Sequence, residues 1–466
     1  MTKKTDDQNK NLHADKADAS EEGIPAWLAD LVDQNSLLIN GDDAKKIGPH
    51  LWKLGQLRKL KISYVYRSLP ELPSALPRLK NLEELIIEEG GSTEILPLLC
   101  ELSQLRKLQL AYLDDDLKEL PESLARLTYL EELNVDGADF VTFPAVIGSL
   151  TSLQSFSYQY CENALSEVFD VLSVLLRLKK LRLSHSSYDE KDFLPESFCR
   201  LQAIEELHFN DWNTLQELPE CIGNMRTLRV IDISNDDHQL GYSAAIKELP
   251  DSLCNLSNLE ELDVYGLQDL KKLPADFSRL SRLKRLGIMG SGIEELQLTT
   301  EQWKNLEELR MHGPLPDLRL CTNLRKFSWF KNDVGADADG VPYGTDEVIS
   351  LPLHPLRNLE WLSIHGGALD DTAFLASMTN LRNLSLSCDF ESFPEGFEKL
   401  DELEEIRIWG AKSLTAPPEY IGRLPSLKRL RLIACAVKSL PKSVQERSDL
   451  EIFAEYCPFH PGLARR

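Results

Sequence analysis

The pattern LxxLxL occurs seventeen times in this chain of 466 residues, and that regularity rules out a core gathered around one hydrophobic centre. Copies begin at Leu57, Leu82, Leu105, Leu130, Leu153, Leu178, Ile204, Leu228, Leu259, Leu283, Leu306, Leu324, Leu359, Leu381, Leu403, Leu427 and Leu450. Length alone suggests about three domains. The unbroken register predicts one array of stacked units instead, because a single unit cannot bury its own leucines. Stacked units bury about five or six each, at roughly 1.5–3 kcal/mol per fully buried side chain.

The clearest unit reads LKELPESLARLTYLEELNVDG, from Leu117 to Gly137. Its second part alternates as a short strand, with Leu133 and Val135 inward and Glu132, Asn134 and Asp136 toward solvent. Its first part places Leu120, Leu124 and Leu127 at period three after Pro121, which cannot donate to a ladder, so an irregular stretch or a helical turn is expected there. Leu-Pro recurs at 72–73, 96–97, 194–195, 218–219, 249–250, 273–274 and 440–441, and Phe-Pro at 143–144 and 393–394. With strands about 4.8 Å apart, the expected parallel sheet is on the order of 80 Å long.

The unit LxxLPxSLxxLxxLEELxLxG resembles the leucine-rich repeats of plant intracellular disease-resistance receptors, of Ras-pathway leucine-rich scaffold proteins and of many bacterial proteins. The resemblance runs from Leu54 to Tyr456 and implies an α/β leucine-rich-repeat solenoid, a curved right-handed superhelix of about 17 repeats with a parallel concave sheet. It implies protein binding without naming a partner, since such families share the fold and differ in what they bind. Two departures stand out. No GxxxxGK[ST] nucleotide-binding loop is present. The asparagine that usually follows the strand is replaced by Ala138, Trp212, Asp236, Leu267, Pro314 and Gly367, with Asn332 an exception, so an irregular hydrogen-bond ladder is expected.

Residues 1–23 read as a disordered polar tail, 24–53 as an N-terminal cap, 54–456 as the repeat domain and 457–466 as a C-terminal tail. The cap is predicted as an amphipathic helix over 24–32 followed by the apolar Leu37-Leu38-Ile39, and Phe453, Tyr456 and Phe459 are expected to cover the last repeat. Long spacings mark two insertions, one between Ile233 and Leu259 and one between Phe330 and Pro355. Asp337-Ala338-Asp339-Gly340 in the second lacks the ligand spacing of an EF-hand and reads as a solvated acidic loop. The nine cysteines form no CxxC pair and no metal cluster; Cys100, Cys199 and Cys254 share one repeat position and read as reduced, small apolar filling. No metal and no cofactor is expected.

The net charge of −23 opposes a phosphate backbone, so nucleic acid is not an expected partner. Apolar runs are too short to span a bilayer, and the first 23 residues lack the apolar core of a Sec signal, which predicts a cytoplasmic monomer away from membranes. A bacterial effector exported into a host by another route is the alternative. No GxSxG elbow occurs, His365-Gly366-Gly367 has no nucleophile motif to serve, and the carboxylate pairs Glu131-Glu132 and Glu260-Glu261 recur with the unit as strand-edge charge, so a non-enzymatic module is expected, with an unrecognised active site as the remote alternative.

Function should therefore lie on strand positions between the inward leucines. Early repeats place Glu84, Glu88, Glu132, Asp136, Glu206, Asp232, Glu261 and Asp263 there, interrupted by Lys59, Lys61, Lys107, Lys180 and Arg182, a mainly acidic surface. From about the ninth repeat the same positions carry Tyr265, Arg285, Met289, Arg310, His312, Phe330, Trp361, His365, Arg407, Trp409, Arg429 and Arg431. Aromatics and arginine are enriched at interface hot spots, so these twelve residues are the candidate protein-binding site.

Overall fold

A computed structural model describes residues 35–40, 47–65, 76–90, 93–113, 117–185, 191–235, 246–331, 335–336, 342–343 and 347–458. The chain divides into two compact units, one ending at Thr214 and the other beginning at Leu215.

Among its described residues the first unit carries eight strands: β1 (Ser36–Asn40), β2 (Lys59–Val65), β3 (Glu84–Gly90), β4 (Lys107–Ala111), β5 (Glu132–Asn134), β6 (Ser155–Cys161), β7 (Lys180–His185) and β8 (Glu206–His208). Each pairs in parallel with the next in chain order. Leu60, Leu85, Leu108, Leu133, Phe156, Leu181 and Leu207 share one register line and are buried, as the alternation of LxxLxL requires.

The second unit repeats the scheme with β9 (Val230–Asp232), β10 (Glu261–Asp263), β11 (Arg285–Gly287), β12 (Glu308–His312) and β13 (Lys326–Phe330). The insertion contributes a small antiparallel pair, β14 (Gly335–Ala336) with β15 (Pro342–Tyr343), and a two-residue strand β16 (Val348–Ile349). The main sheet resumes with β17 (Trp361–Leu369), β18 (Asn383–Asp389), β19 (Glu405–Trp409), β20 (Arg429–Ile433) and β21 (Glu451–Glu455). β13 pairs directly with β17, so the insertion leaves the ladder unbroken, while β16 lies along the far end of β17. Gly367 at φ +74° permits this: a Cβ there would stand 2.9 Å from Ile349 Cγ2.

The proline-led half of most units is a 3₁₀ turn, as in Glu122–Arg126, Glu196–Arg200, Glu220–Asn224, Asp251–Asn255 and Glu419–Arg423. The preceding proline is extended and lacks the N–H that would lengthen the turn. Other units carry a short α-helix there, as in Leu96–Leu99, Thr300–Asn305 and Lys442–Gln445, and the longest, Leu165–Leu172, buries Leu165, Val168, Phe169 and Leu172 at helical spacing.

Several expectations need correction. Asp136 is buried rather than solvent-facing, because Ser157 Oγ (2.8 Å), the Gln159 N–H (2.9 Å) and Asn134 Nδ2 (2.9 Å) all donate to its carboxylate. Phe453 and Tyr456 do not cover the last repeat; β21 aligns Ile452, not Phe453, with the inward Leu430, leaving both rings exposed. Cys199 is not a free apolar filler: it is disulfide-bonded, as is Cys221, whereas Cys254 is buried and reduced as expected. The predicted tail, the helix over 24–32, Phe459 and the Asp337–Gly340 loop lie outside the described residues.

Candidate functional site

Three columns of side chains project from the exposed face of the second unit's sheet, and register assigns their members. The first runs Glu261, Arg285, Glu308, Lys326, Trp361, Asn383, Glu405, Arg429, Glu451. The second runs Asp263, Gly287, Arg310, Ser328, Ser363, Ser385, Arg407, Arg431, Phe453. The third carries His312, Phe330, His365 and Ser387 in register, then Trp409 and Ile433. These columns hold ten of the twelve expected site residues, all but Tyr265 and Met289, and the structure divides the twelve into three groups with different electrostatics.

The first group is an acidic lattice. Arg285 Nε donates to Glu261 at 2.6 Å, and Arg310 donates to Glu308 at 2.9 Å and to Asp263 at 3.1 Å. Asp232 faces Asp263 across the β9–β10 pair and Lys326 Nζ lies 3.4 Å from Glu308, so two guanidiniums and one ammonium meet four carboxylates. Asp263 sits over Gly287, where a Cβ would fall 2.3 Å from its Oδ1. Burial pushes the Asp263 carboxyl up to about 6 against the pull of Arg310. Arg285 and Arg310 are therefore consumed by carboxylates of their own and nearby strands and are not the start of a basic surface. His312 is buried, its Nδ1 accepts the Gly290 N–H at 3.2 Å, and burial lowers its pKa. Tyr265 and Met289 are half-buried beside this lattice.

The second group is aromatic. Phe330 stacks on His365 with ring centroids 3.9 Å apart, and Trp361 stands half-buried on the same strand as His365. Ser363 Oγ and His365 Nε2 are 2.7 Å apart, a contact of the kind that activates a serine. The imidazole is poorly suited to deprotonating that hydroxyl. Its buried Nδ1 has no partner to orient it, and burial lowers its pKa to about 4, well below a useful general base at neutral pH.

The third group centres on Glu405, which sequence reasoning did not single out. Its buried carboxylate receives Arg407 Nε at 2.6 Å, Arg429 Nη2 at 3.3 Å and Arg431 Nε at 3.5 Å. Trp409, on the same strand, has a buried Nε1 without a hydrogen-bond partner. Between the aromatic and arginine groups lies β18, whose exposed-face residues Asn383, Ser385 and Ser387 are short. A trough results, with Trp361 and His365 along one wall and Arg407 and Trp409 along the other.

The first unit is less acidic in effect than its residues suggested. Along one column Lys59, Glu84, Lys107 and Glu132 alternate in sign, and Glu84 lies 3.1 Å from Lys59 and 3.7 Å from Lys107. The column one residue earlier alternates likewise, with Arg58–Glu83 at 2.9 Å and Lys179–Glu205 at 2.9 Å. In the second unit that column reads Arg229, Glu260, Lys284, Glu307, Arg325, Glu360, Arg382, Glu404, Lys428. The carboxylate pairs of the repeat are thus cross-strand counterions. The first unit also displays Tyr112 and Tyr160, both exposed at positive φ, with rings 6.2 Å apart. Burial first, then Tyr160 and Asp136, pushes the Tyr112 phenol up to about 12.

Among the described residues no group of three or more metal-ligating side chains occurs, and no helix is long and apolar enough to cross a membrane.

The family model described as "Leucine-rich repeat region" matches residues 101–216 and 211–433, and the chain belongs to that family. It is 27% identical over 241 residues to TMV resistance protein N of Nicotiana glutinosa, covering 49% of this chain and 19% of that protein. A probable disease resistance RPP8-like protein 2 of Arabidopsis thaliana matches at 27% over 265 residues, covering 52% of this chain and 26% of that protein. The chain thus spans about a fifth to a quarter of the length of these relatives. Among solved structures, a leucine-rich-repeat protein of Leptospira interrogans matches with a TM-score of 0.52 at 20% identity, covering 94% of this chain and 93% of that one, which shows the shared fold. The fold is that of a protein-interaction module.

Proposed function

We propose that this protein acts as a non-enzymatic binding module or scaffold that recognises a protein partner on the exposed sheet face of its second unit, over strands β13 to β20. The observation that carries this reading is the trough above β18, where arginines and tryptophans flank a floor of short polar side chains. Anchoring residues of these types in a recess are the usual source of interface affinity. Among the described residues this face offers no convergent acid, base and nucleophile, which favours binding over catalysis. Recovery of partners from the native host by pull-down and mass spectrometry, followed by affinity measurements with Trp361→Ala, Trp409→Ala and Arg407→Glu, tests it. Each variant is expected to weaken a true partner at least about tenfold; unchanged affinity in all three moves the site elsewhere.

For the setting of this interaction the cytoplasm is the first proposal, in line with the intracellular receptors whose repeats this chain resembles. The disulfide-bonded Cys199 and Cys221 favour a second, an oxidising environment outside the reducing cytosol. Non-reducing peptide mapping of protein taken from its native source decides between them: reduced thiols at both positions remove the support for the second.

A further inference from the structure

The arginine group has a charge imbalance that its surroundings correct only in part. Arg407, Arg429 and Arg431 converge on the single carboxylate of Glu405, whose side chain is 4% exposed, while the guanidinium-bearing side chains are 46%, 44% and 39% exposed. Each guanidinium presents five N–H donors in a planar fork. One carboxylate has about four lone-pair sites, so most of the donors face outward. Glu451 flanks Arg429 on β21 but makes no ion pair among the described residues. Arg429 also acts on Glu404, so Glu405 holds three arginines side by side on two strands and leaves a net positive charge, mainly on Arg407 and Arg431, for an incoming group.

The location restricts what that group is. Arg407 and Arg431 rise at the edge of the trough floored by Asn383, Ser385 and Ser387, and the opposite edge is Trp361 with the stacked Phe330–His365 pair. A ligand that neutralises the arginines also brings apolar surface against the tryptophan. Four to seven strands back from β19, about 20–35 Å along the sheet, the lattice sets four carboxylates, Asp232, Glu261, Asp263 and Glu308, against the three cations Arg285, Arg310 and Lys326, and so offers an anion no surplus positive charge. A long uniform polyanion crossing the face finds no counterion there; a short acidic stretch does not reach it.

We infer that the trough takes an extended segment of a partner protein that places two acidic side chains on Arg407, Arg429 and Arg431 and an adjacent apolar or aromatic side chain against Trp361. This rests on the proposed use of this face for protein binding and adds the chemistry of the partner. Arginine forks recognise carboxylates bidentately, and the net charge of −23 disfavours acidic segments over the rest of an otherwise acidic protein. The net charge of the chain therefore supplies selectivity for position rather than affinity.

The test pans a phage-displayed library of random dodecapeptides on the full chain. The expected result is a set of binders enriched in Asp and Glu beside an aromatic or aliphatic residue, with affinity reduced about tenfold or more by Arg407→Gln/Arg431→Gln and by Trp361→Ala, and reduced further by high salt. The glutamine variant avoids placing new carboxylates beside Glu405, and far-UV circular dichroism verifies that it folds. Binders that lose affinity with Trp361→Ala but not with the arginine variant, or that show no acidic enrichment, overturn the acidic-segment inference and leave the face as the binding site. Binders indifferent to all these variants overturn both. A library that yields no binders overturns the inference, as does displacement of selected peptides by single-stranded RNA at comparable concentration, which identifies the arginines as a phosphate-backbone site.

Discussion

The Phe330 ring lies flat on the His365 imidazole, centroids 3.9 Å apart and planes inclined by 15°, and this stack closes one wall of the trough. It also holds a titratable group out of water, which is why the His365 pKa falls to about 4 from its ordinary 6.5. In the folded chain His365 stays neutral through the range in which the unfolded chain protonates it. Stability is therefore expected to fall as pH drops from 6.5 toward 4, with no contribution from this residue above 6.5. Phe330→Ala opens the ring to solvent and should move the His365 titration, followed by NMR of the imidazole C–H, back toward 6.5. A titration left near 4 would assign the shift to other neighbours.

Gly287 and Asp263 form a second such pair. A methyl group at Gly287 stands 2.3 Å from Asp263 Oδ1, so Gly287→Ala displaces the carboxylate and loosens Arg310, with an expected cost of about 1–3 kcal/mol in urea unfolding. Asp263 runs opposite in sign to His365: its folded pKa of about 6 lies above the ordinary 3.8, so the folded chain binds its proton more tightly and loses stability as pH rises from 3.8 through 6. Asp263→Asn should accordingly gain in stability relative to the native chain at pH 7.5, and that gain should shrink toward pH 4. A gain independent of pH would contradict this assignment.

Glu84 stands between Lys59 and Lys107. Glu84→Lys places three cations in line about 4.8 Å apart, and a loss of about 1 kcal/mol is expected at low ionic strength, reduced by half or more in molar salt. Lys107→Glu in the same background should recover part of it. Equal unfolding midpoints for the native and reversed chains at low salt would mean that the alternation contributes nothing to stability.

Cys435 and Cys457 occupy matching positions in the last two repeats, and their sulfurs lie against the successive carbonyls of Ile433 and Leu432 at 3.2 and 3.5 Å. The hydrogen bond from Cys435 pulls the Cys457 thiol down to about 7 and pushes its own up. Iodoacetamide at neutral pH should alkylate Cys457 ahead of the half-buried Cys100, and Cys435→Ala should slow that reaction about threefold or more. Peptide mass spectrometry over a time course measures both rates; equal rates at Cys457 and Cys100 would contradict the arrangement.

Most of the solenoid was legible because its cause is local: leucines at fixed spacing and prolines that forbid a second ladder impose the unit wherever they occur. The site was legible in part. Register placed Trp361, His365, Arg407, Trp409, Arg429 and Arg431 on one face, yet the same reasoning grouped Arg285 and Arg310 with them. Which arginines are free depends on cross-strand neighbours, and those follow only when columns are read across repeats. The sign alternation Arg58, Glu83, Arg106, Glu131 was available in the sequence and carries that information. Glu405 escaped notice because a lone carboxylate in such a column looks like strand-edge charge; its burial under three arginines is a property of packing. The exposure of Phe453 turned on the spacing of 22 between the registered Leu430 and Ile452, one residue different from the spacing that LxxLxL implies at Leu427 and Leu450.

Binding of a protein segment across the exposed sheet face of the second unit is tested most directly by hydrogen–deuterium exchange of the full chain, with and without a saturating phage-selected dodecapeptide or an isolated partner. Slower exchange confined to strands β13, β17, β18, β19 and β20 and the residues beside them is the predicted result. Slower exchange confined to the 3₁₀ turns, such as Glu419–Arg423, or to the first unit, with these strands unchanged, would contradict it.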